Sequence, residues 1–296
     1  MRILHTKWAR LTGLFTTACV LLPLLAVAQS GHYVAGVEGI KAGSIPPPGL
    51  YTKDYNYLYL ANGGDRLPPD FKVTAYVNVL RQIWITKWKI LGADYGMDAL
   101  VPFVYQDVTA GGKKPSKFGV GDMYVEPVLL AWHWQQFDVG AGYSIWMPIG
   151  QYDKTRMVNA GKNFWSHMAT LGGTWYPAGE DKSWAVSVLN RYEINTENSD
   201  LKVTPGNNLT VEFGLSKNLQ QTVDIGVTGY YQQQVTKDSG TGATDFLLDR
   251  VFGVGPEVNY FWGKAKLFIS ARYAYEFGAK DRSRGHTFCL TLTKIW

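Results

Sequence analysis

The sequence predicts an all-β chain, a transmembrane up-and-down antiparallel β-barrel of about twelve strands, on three observations. Period-two alternation of apolar and polar residues recurs about every 20 residues, the spacing of ~10-residue spans joined by turns and loops. The composition, with 18 Tyr, 11 Trp, 13 Phe and 32 Gly at a mean hydropathy of −0.13, suits a wall wetted on one side and facing lipid on the other. The last strand candidate is amphipathic and stops on the aromatic Trp296.

The N-terminus reads as a secretory signal. Arg2, Lys7 and Arg10 precede an apolar run over 11–27, and Ala26, Val27 and Ala28 give the small-x-small cleavage pattern, so cleavage is expected after Ala28. A retained helical anchor is the competing reading, but Pro23 interrupts the run. Cys19 follows Thr16, Thr17 and Ala18, where a lipobox requires Leu in the first of those places. Removing 1–28 takes three basic groups and no acidic ones, bringing the formal charge from +5 to +2, and no basic run argues for nucleic acid as a partner. One cysteine, Cys289, is left, so no internal disulfide forms. No later stretch is apolar enough to span a bilayer as a helix, which leaves a periplasmic protein or a barrel.

Residues 29–49 form an expected lead-in before a barrel over 50–296. Five glycines and three consecutive prolines in 31–49 exclude a central strand, and the segment could fold into the barrel mouth as a plug around Tyr33 and Ile40. In the first strand Tyr51, Tyr55, Tyr57 and Tyr59 share a face opposite Asp54 and Asn56. In the second, Phe71, Val73, Ala75, Val77 and Val79 alternate with Lys72, Thr74, Tyr76 and Asn78, read as apolar-out and polar-in. The third turns Asp94 and Asp98 inward. A polar loop is expected over 109–118, after which Met123, Val125 and Leu129 oppose Asp122 and Glu126.

The fifth strand sets Val139, Ala141, Tyr143, Ile145 and Met147 against Asp138 and Ser144, and the sixth, 164–176, carries aromatic residues on both faces. Trp184, Val186, Val188, Tyr192 and Ile194 then oppose Arg191 and Glu193, Leu209 to Leu215 oppose Glu212, and Val223 to Tyr231 oppose Asp224. Phe252, Val254, Val258 and Tyr260 face away from Glu257, while Leu267, Ile269, Ala271, Tyr273 and Tyr275 face away from Lys266, Arg272 and Glu276. In the last strand His286, Phe288, Leu290, Leu292 and Trp296 share a face. Long connections at 109–118, 151–163, 195–206 and 236–249 are expected to be extracellular loops set against short periplasmic turns. A soluble sandwich would also alternate, but would have to hide all these Tyr and Trp between two sheets.

Several stretches, GHYVAGVEGIKAGSIPPPGLY, ILGADYGMDALVPFVYQD, GVGDMYVEPVLLAWH and MPIGQYD, resemble in order and spacing the outer-membrane family labelled putative MetA-pathway of phenol degradation. The resemblance covers nearly the whole mature chain. It implies a barrel in the outer membrane of a Gram-negative bacterium, transporter-like or channel-like, with a bias toward apolar or aromatic solutes. The terminal strand, with Phe288, Leu290, Leu292 and Trp296, is similar to the signal read by the barrel-assembly machinery.

No catalytic constellation is readable. His32, His133, His167 and His286 lie in different segments without metal-ligand spacing, so neither a metal nor a cofactor is expected. A barrel lipase would need a Ser and a His together, yet Ser166 and His167 are sequence neighbours that a strand sends to opposite faces. What stands out is the inward charge set: Asp94, Asp98, Asp122, Glu126, Arg191, Glu193, Glu257, Arg272 and Glu276, with Glu212, Asp224 and Lys266. These either line a solute pathway or fill the lumen in opposed pairs. The expected function is passive admission of small apolar or aromatic solutes, with outer-membrane lipid as surroundings; the alternative is a closed structural or adhesion barrel without transport.

Overall fold

The computed structural model describes residues 31–64, 66–244 and 247–296; the expected signal peptide lies outside the described residues. Thirteen strands follow in chain order: β1 (Gly49–Gly64), β2 (Lys72–Ile90), β3 (Ala93–Thr109), β4 (Ser116–Val120), β5 (Met123–His133), β6 (Phe137–Met147), β7 (Ser166–Trp175), β8 (Trp184–Asn195), β9 (Asn208–Leu219), β10 (Val223–Gln234), β11 (Arg250–Trp262), β12 (Leu267–Lys280) and β13 (Ser283–Ile295). Twelve of them pair antiparallel with their chain neighbours, and β1 pairs with β13 to close the ring. Closure pairs each of these twelve strands on both sides, where an open sheet would leave two of them with free edges. The thirteenth, β4, pairs only with the loop end of β3, so the expected loop over 109–118 is partly a hairpin.

Connections sort by end. The turns after β2, β5, β9 and β11 are short, and that at Leu91 and Gly92 uses two residues with φ of 53° and 80°, as a tight hairpin requires. Both β1 and β13 have their outer ends on this side. The long connections over 148–165, 196–207 and 235–249 all lie at the other end. Most exposed tryptophans gather at the short-turn end, namely Trp84, Trp88, Trp134, Trp175, Trp184, Trp262 and Trp296, while Trp165 lies at the long-loop end. Such a ring is the aromatic girdle of a membrane interface, where an apolar ring with a polar N–H is best placed.

The facings of β2, expected apolar-out, and of the second half of β5 differ from the sequence expectation. In β1 and β2 the apolar face points inward: Tyr55, Tyr57, Val77 and Val79 pack with Cys289 around Val34 and Val37 of the N-terminal segment. The outer wall there carries Asp54, Asn56 and Asn78, where Asn78 Nδ2 donates to Asp54 Oδ1 at 2.6 Å. The reason is that the N-terminal segment packs into this sector of the lumen, so its inner face is a core. In β5 the pairing slips between Val125 and Val128, and this bulge at Glu126 and Pro127 inverts the parity beyond it. Leu129 therefore turns inward, to the same side as Glu126, and is buried. Lys266 also departs from expectation: it sits exposed in the turn after β11 with φ of 47°, outside the lumen.

Candidate functional site

Residues 31–48 have no sheet partner, so beyond two turn bonds, from Ala42 N–H to the Gly39 carbonyl and from Ser44 N–H to that of Lys41, their amide N–H groups turn to side chains. Glutamates from three strands do this. Glu193 accepts from the N–H groups of His32 at 2.7 Å and Tyr33 at 3.3 Å, Glu212 from Glu38 at 3.1 Å, and Glu257 from Ile40 at 2.9 Å. Further down, Gly43 N–H donates to Ser187 Oγ at 2.7 Å, and Ser44 Oγ donates to Asp138 at 3.0 Å. The partners step from the long-loop end of the wall to the short-turn end, so the segment runs down the lumen and enters β1 at the bottom. It passes close to the wall: a Cβ at Gly39, whose φ is +81°, would stand 2.4 Å from Glu257 Oε2, and one at Gly43 would stand 2.3 Å from the carbonyl oxygen of Gly173.

Glu38 is the centre of the charge arrangement. Its carboxylate receives Arg81 at 2.9 Å, Lys53 at 3.1 Å and Arg191 at 3.2 Å, with the Tyr55 hydroxyl at 3.2 Å. Arg81 in turn grips Asp98 with two N–H groups at 2.9 and 2.6 Å and reaches Glu126 at 3.2 Å. The β5 bulge aims Glu126 at this cluster, and Gly142 opposite leaves the room, since a Cβ there would lie 2.3 Å from Glu126 Oε1. Arg191 lies over the ring of Tyr33 at 4.2 Å, and the Tyr33 hydroxyl donates to Glu212. On the far side Arg272 pairs with Glu257 at 3.3 Å and donates to the carbonyls of Gly36 and Val37. Buried charges are thus each met by an opposite charge or a hydrogen bond, which offsets their desolvation.

At the long-loop end, His32 is wedged between Asp122, with Nε2 to Oδ2 at 3.0 Å, and Ser166, with Nδ1 to Oγ at 2.7 Å. Those three residue types are the ones a hydrolase combines, and no periodicity in the sequence points to their meeting across 90 and 134 positions. The hydrogen bonds point the other way. Asn195 donates from Nδ2 to the carbonyl of Gly206, so its Oδ1 accepts, and it accepts from Ser166 at 2.6 Å. Ser166 Oγ thus directs its proton to Asn195 and not to the imidazole, where a general base would have to take it. With Ser166 fully buried, the trio clamps the segment. His167 faces outward and bonds to Tyr143, as alternation dictates.

Of the charged positions read from the sequence, Asp98, Asp122, Glu126, Arg191, Glu193, Glu257 and Arg272 meet along residues 31–48. Asp94 stands apart near the short-turn end, paired with Lys89 at 2.6 Å. Glu276 accepts from Tyr59 at 2.8 Å, Tyr230 at 2.9 Å and the Gly285 N–H at 3.0 Å, so it braces the wall. Tyr33 and Ile40 are both buried. Arg81, Lys53 and Glu38 escaped sequence reading; Arg81 shares parity with Val77 and Val79, and the inverted facing of β2 hid it. Beside Glu38 a cavity of about 60 Å³ remains, lined by Lys53, Ile83, Leu129 and Leu189.

A family model described as "Putative MetA-pathway of phenol degradation" matches residues 60–292. The chain is similar in structure to the COG4313 outer membrane channel from Pseudomonas putida F1, with a TM-score of 0.76 at 14% identity over 86% of this chain and 97% of that one. Fainter likenesses are the KdgM porin in complex with disordered oligogalacturonate, with a TM-score of 0.46 at 11% identity over 82% of this chain and 99% of that one. The translocator domain of autotransporter NalP from Neisseria meningitidis gives 0.49 at 12% identity over 85% and 90%. Comparison with curated proteins returns no match.

Proposed function

The chain belongs to the family described as Putative MetA-pathway of phenol degradation and is an outer-membrane, channel-like barrel, and from that premise we propose that it passively admits small apolar or aromatic solutes through a lumen gated by residues 31–48. The supporting observation is the size of the space beside the segment. A cavity of about 60 Å³ is well below the ~150 Å³ that accommodates benzene, so an aromatic solute passes only when the segment shifts. That shift breaks hydrogen bonds and ion pairs and no sheet ladder, which suits a movable element. Once displaced it would leave Tyr51, Tyr55, Tyr57, Tyr124 and Tyr230 facing the path, an aromatic lining with polar tips. The link to aromatic catabolism is the family's and is part of the proposal.

The same small cavity favours a second reading, a closed structural or adhesion barrel, if the segment never moves. Proteoliposomes carrying the folded protein, loaded with labelled small aromatic acids and hydrocarbons outside, separate the two. Saturable, selective uptake that rises several-fold when residues 31–44 are deleted supports the gated conduit. No uptake by either folded form establishes the closed barrel.

A further inference from the structure

The long-loop end of β11, β12 and β13 carries an unbalanced row of cations on its outer face. Arg250 and Lys280 are directly opposite one another in the β11–β12 ladder, and both are exposed. Arg284, also exposed, is the second residue of β13, past the two-residue turn that follows Lys280. Like charges placed opposite each other across a ladder repel, so the pair costs stability unless an anion lies between them. Among the described residues the nearby acids do not supply it. Asp249 and Asp281 are buried, bound at 3.4 Å by Arg282 and at 3.2 Å by Arg66, and Arg250, Lys280 and Arg284 make no ion pair among the described residues.

Directly below the row the wall is aromatic and exposed. Phe252 stacks on Phe277 with ring centroids 5.7 Å apart, Tyr275 lies 5.3 Å from His286, and Phe288 continues the band on β13. Cations above an apolar aromatic band, at the end of the barrel with the long loops, match an amphiphile with phosphates uppermost and hydrocarbon beneath.

We propose that this face binds a phosphorylated glycolipid of the outer leaflet, of the lipopolysaccharide type. Arg250, Lys280 and Arg284 take its phosphates, and Phe252, Tyr275 and Phe277 lie along its acyl chains. Arginine offers a forked pair of N–H groups to a phosphate, and the three strands hold the cations in place before the lipid arrives.

The test uses the barrel purified from outer membranes and stripped of lipid in detergent, titrated with lipopolysaccharide and followed by binding and by its heat-modified mobility on gels. Lipopolysaccharide is expected to bind saturably and raise the unfolding temperature, while its dephosphorylated form and inorganic phosphate do neither. The triple variant Arg250→Gln, Lys280→Gln, Arg284→Gln is expected to bind about tenfold more weakly or worse. Arg250→Lys, Lys280→Arg, Arg284→Lys keeps the charge and retains most of the binding. A charge-matched triple at the short-turn end, Lys87→Gln, Lys217→Gln, Lys264→Gln, stays at the wild-type value. Equal binding by the first triple and the wild type overturns the proposal, as does an equal loss in the short-turn triple or an equal response to inorganic phosphate alone.

Discussion

Glu193, Glu212 and Glu257 do for residues 31–40 what a neighbouring strand does in a sheet, accepting amide hydrogens that no carbonyl is placed to take. Glu38 answers from the segment's side by gathering Arg81, Lys53 and Arg191. Glu38→Gln removes one charge and leaves the buried Arg81 and Arg191 and the half-buried Lys53 short of it, so it is expected to lower stability by about 3 kcal/mol, read as a fall in the denaturant midpoint. The same variant should open more often in single-channel recordings; unchanged openings would separate the ion cluster from gating. Asp70, in the loop after β1, accepts from the N–H groups of Gly112 at 2.7 Å and Gly111 at 2.9 Å, and these bonds hold its carboxyl below the usual carboxylate range. A depressed folded value stabilises the loop above the ordinary carboxylate pKa and ceases to do so as pH falls through the lowered one. Amide exchange at Gly111 and Gly112 should therefore be slow near neutrality, quicken relative to the intrinsic rate below about pH 4 and be fast throughout in Asp70→Asn.

Among the elements, β1 and β2 carry the most consequence, because their apolar sides face a protein-filled lumen and their polar sides face out. Asp54 is thereby an acid on the outer wall, cross-strand from Leu80 and Leu292. Asp54→Asn keeps an acceptor for Asn78 while removing a charge from that wall, and is expected to raise stability by about 1 kcal/mol in bilayers, measured by urea unfolding. A fall would mean that something polar covers this sector. β13 presents Phe288, Leu290 and Trp296 on its exposed side, and the assembly role read from them predicts a split between two measurements. Phe288→Ala with Trp296→Ala should lower the amount of folded barrel in cells several-fold, while purified chain refolds in detergent to near the wild-type yield; equal losses in both would make the effect one of stability alone. Strand existence was legible along nearly the whole chain because alternation is set by the pleat. Which face points inward was not legible in β1 and β2, since alternation has two solutions and only the contents of the lumen choose between them. Nor was the parity change at Glu126 and Pro127, although a proline within a strand is a signal for a bulge.

At the scale of the molecule, long connections at one end, tryptophans at the other and acids within give the chain an orientation. The inward charges could be read residue by residue, whereas their partners could not: Glu38 meets Arg191 across 153 positions, and His32 meets Glu193 across 161. Such pairings depend on where an unpaired segment travels, and no local periodicity encodes that path. The charge balance of the lumen is a property of wall and segment together. The seam between β1 and β13 has a further meaning in time. Gly49–Gly64 leads the barrel and Ser283–Ile295 ends it, so the first contact that makes a ring is also the one that waits for all the rest. Until that seam forms, residues 31–48 have no closed interior to occupy.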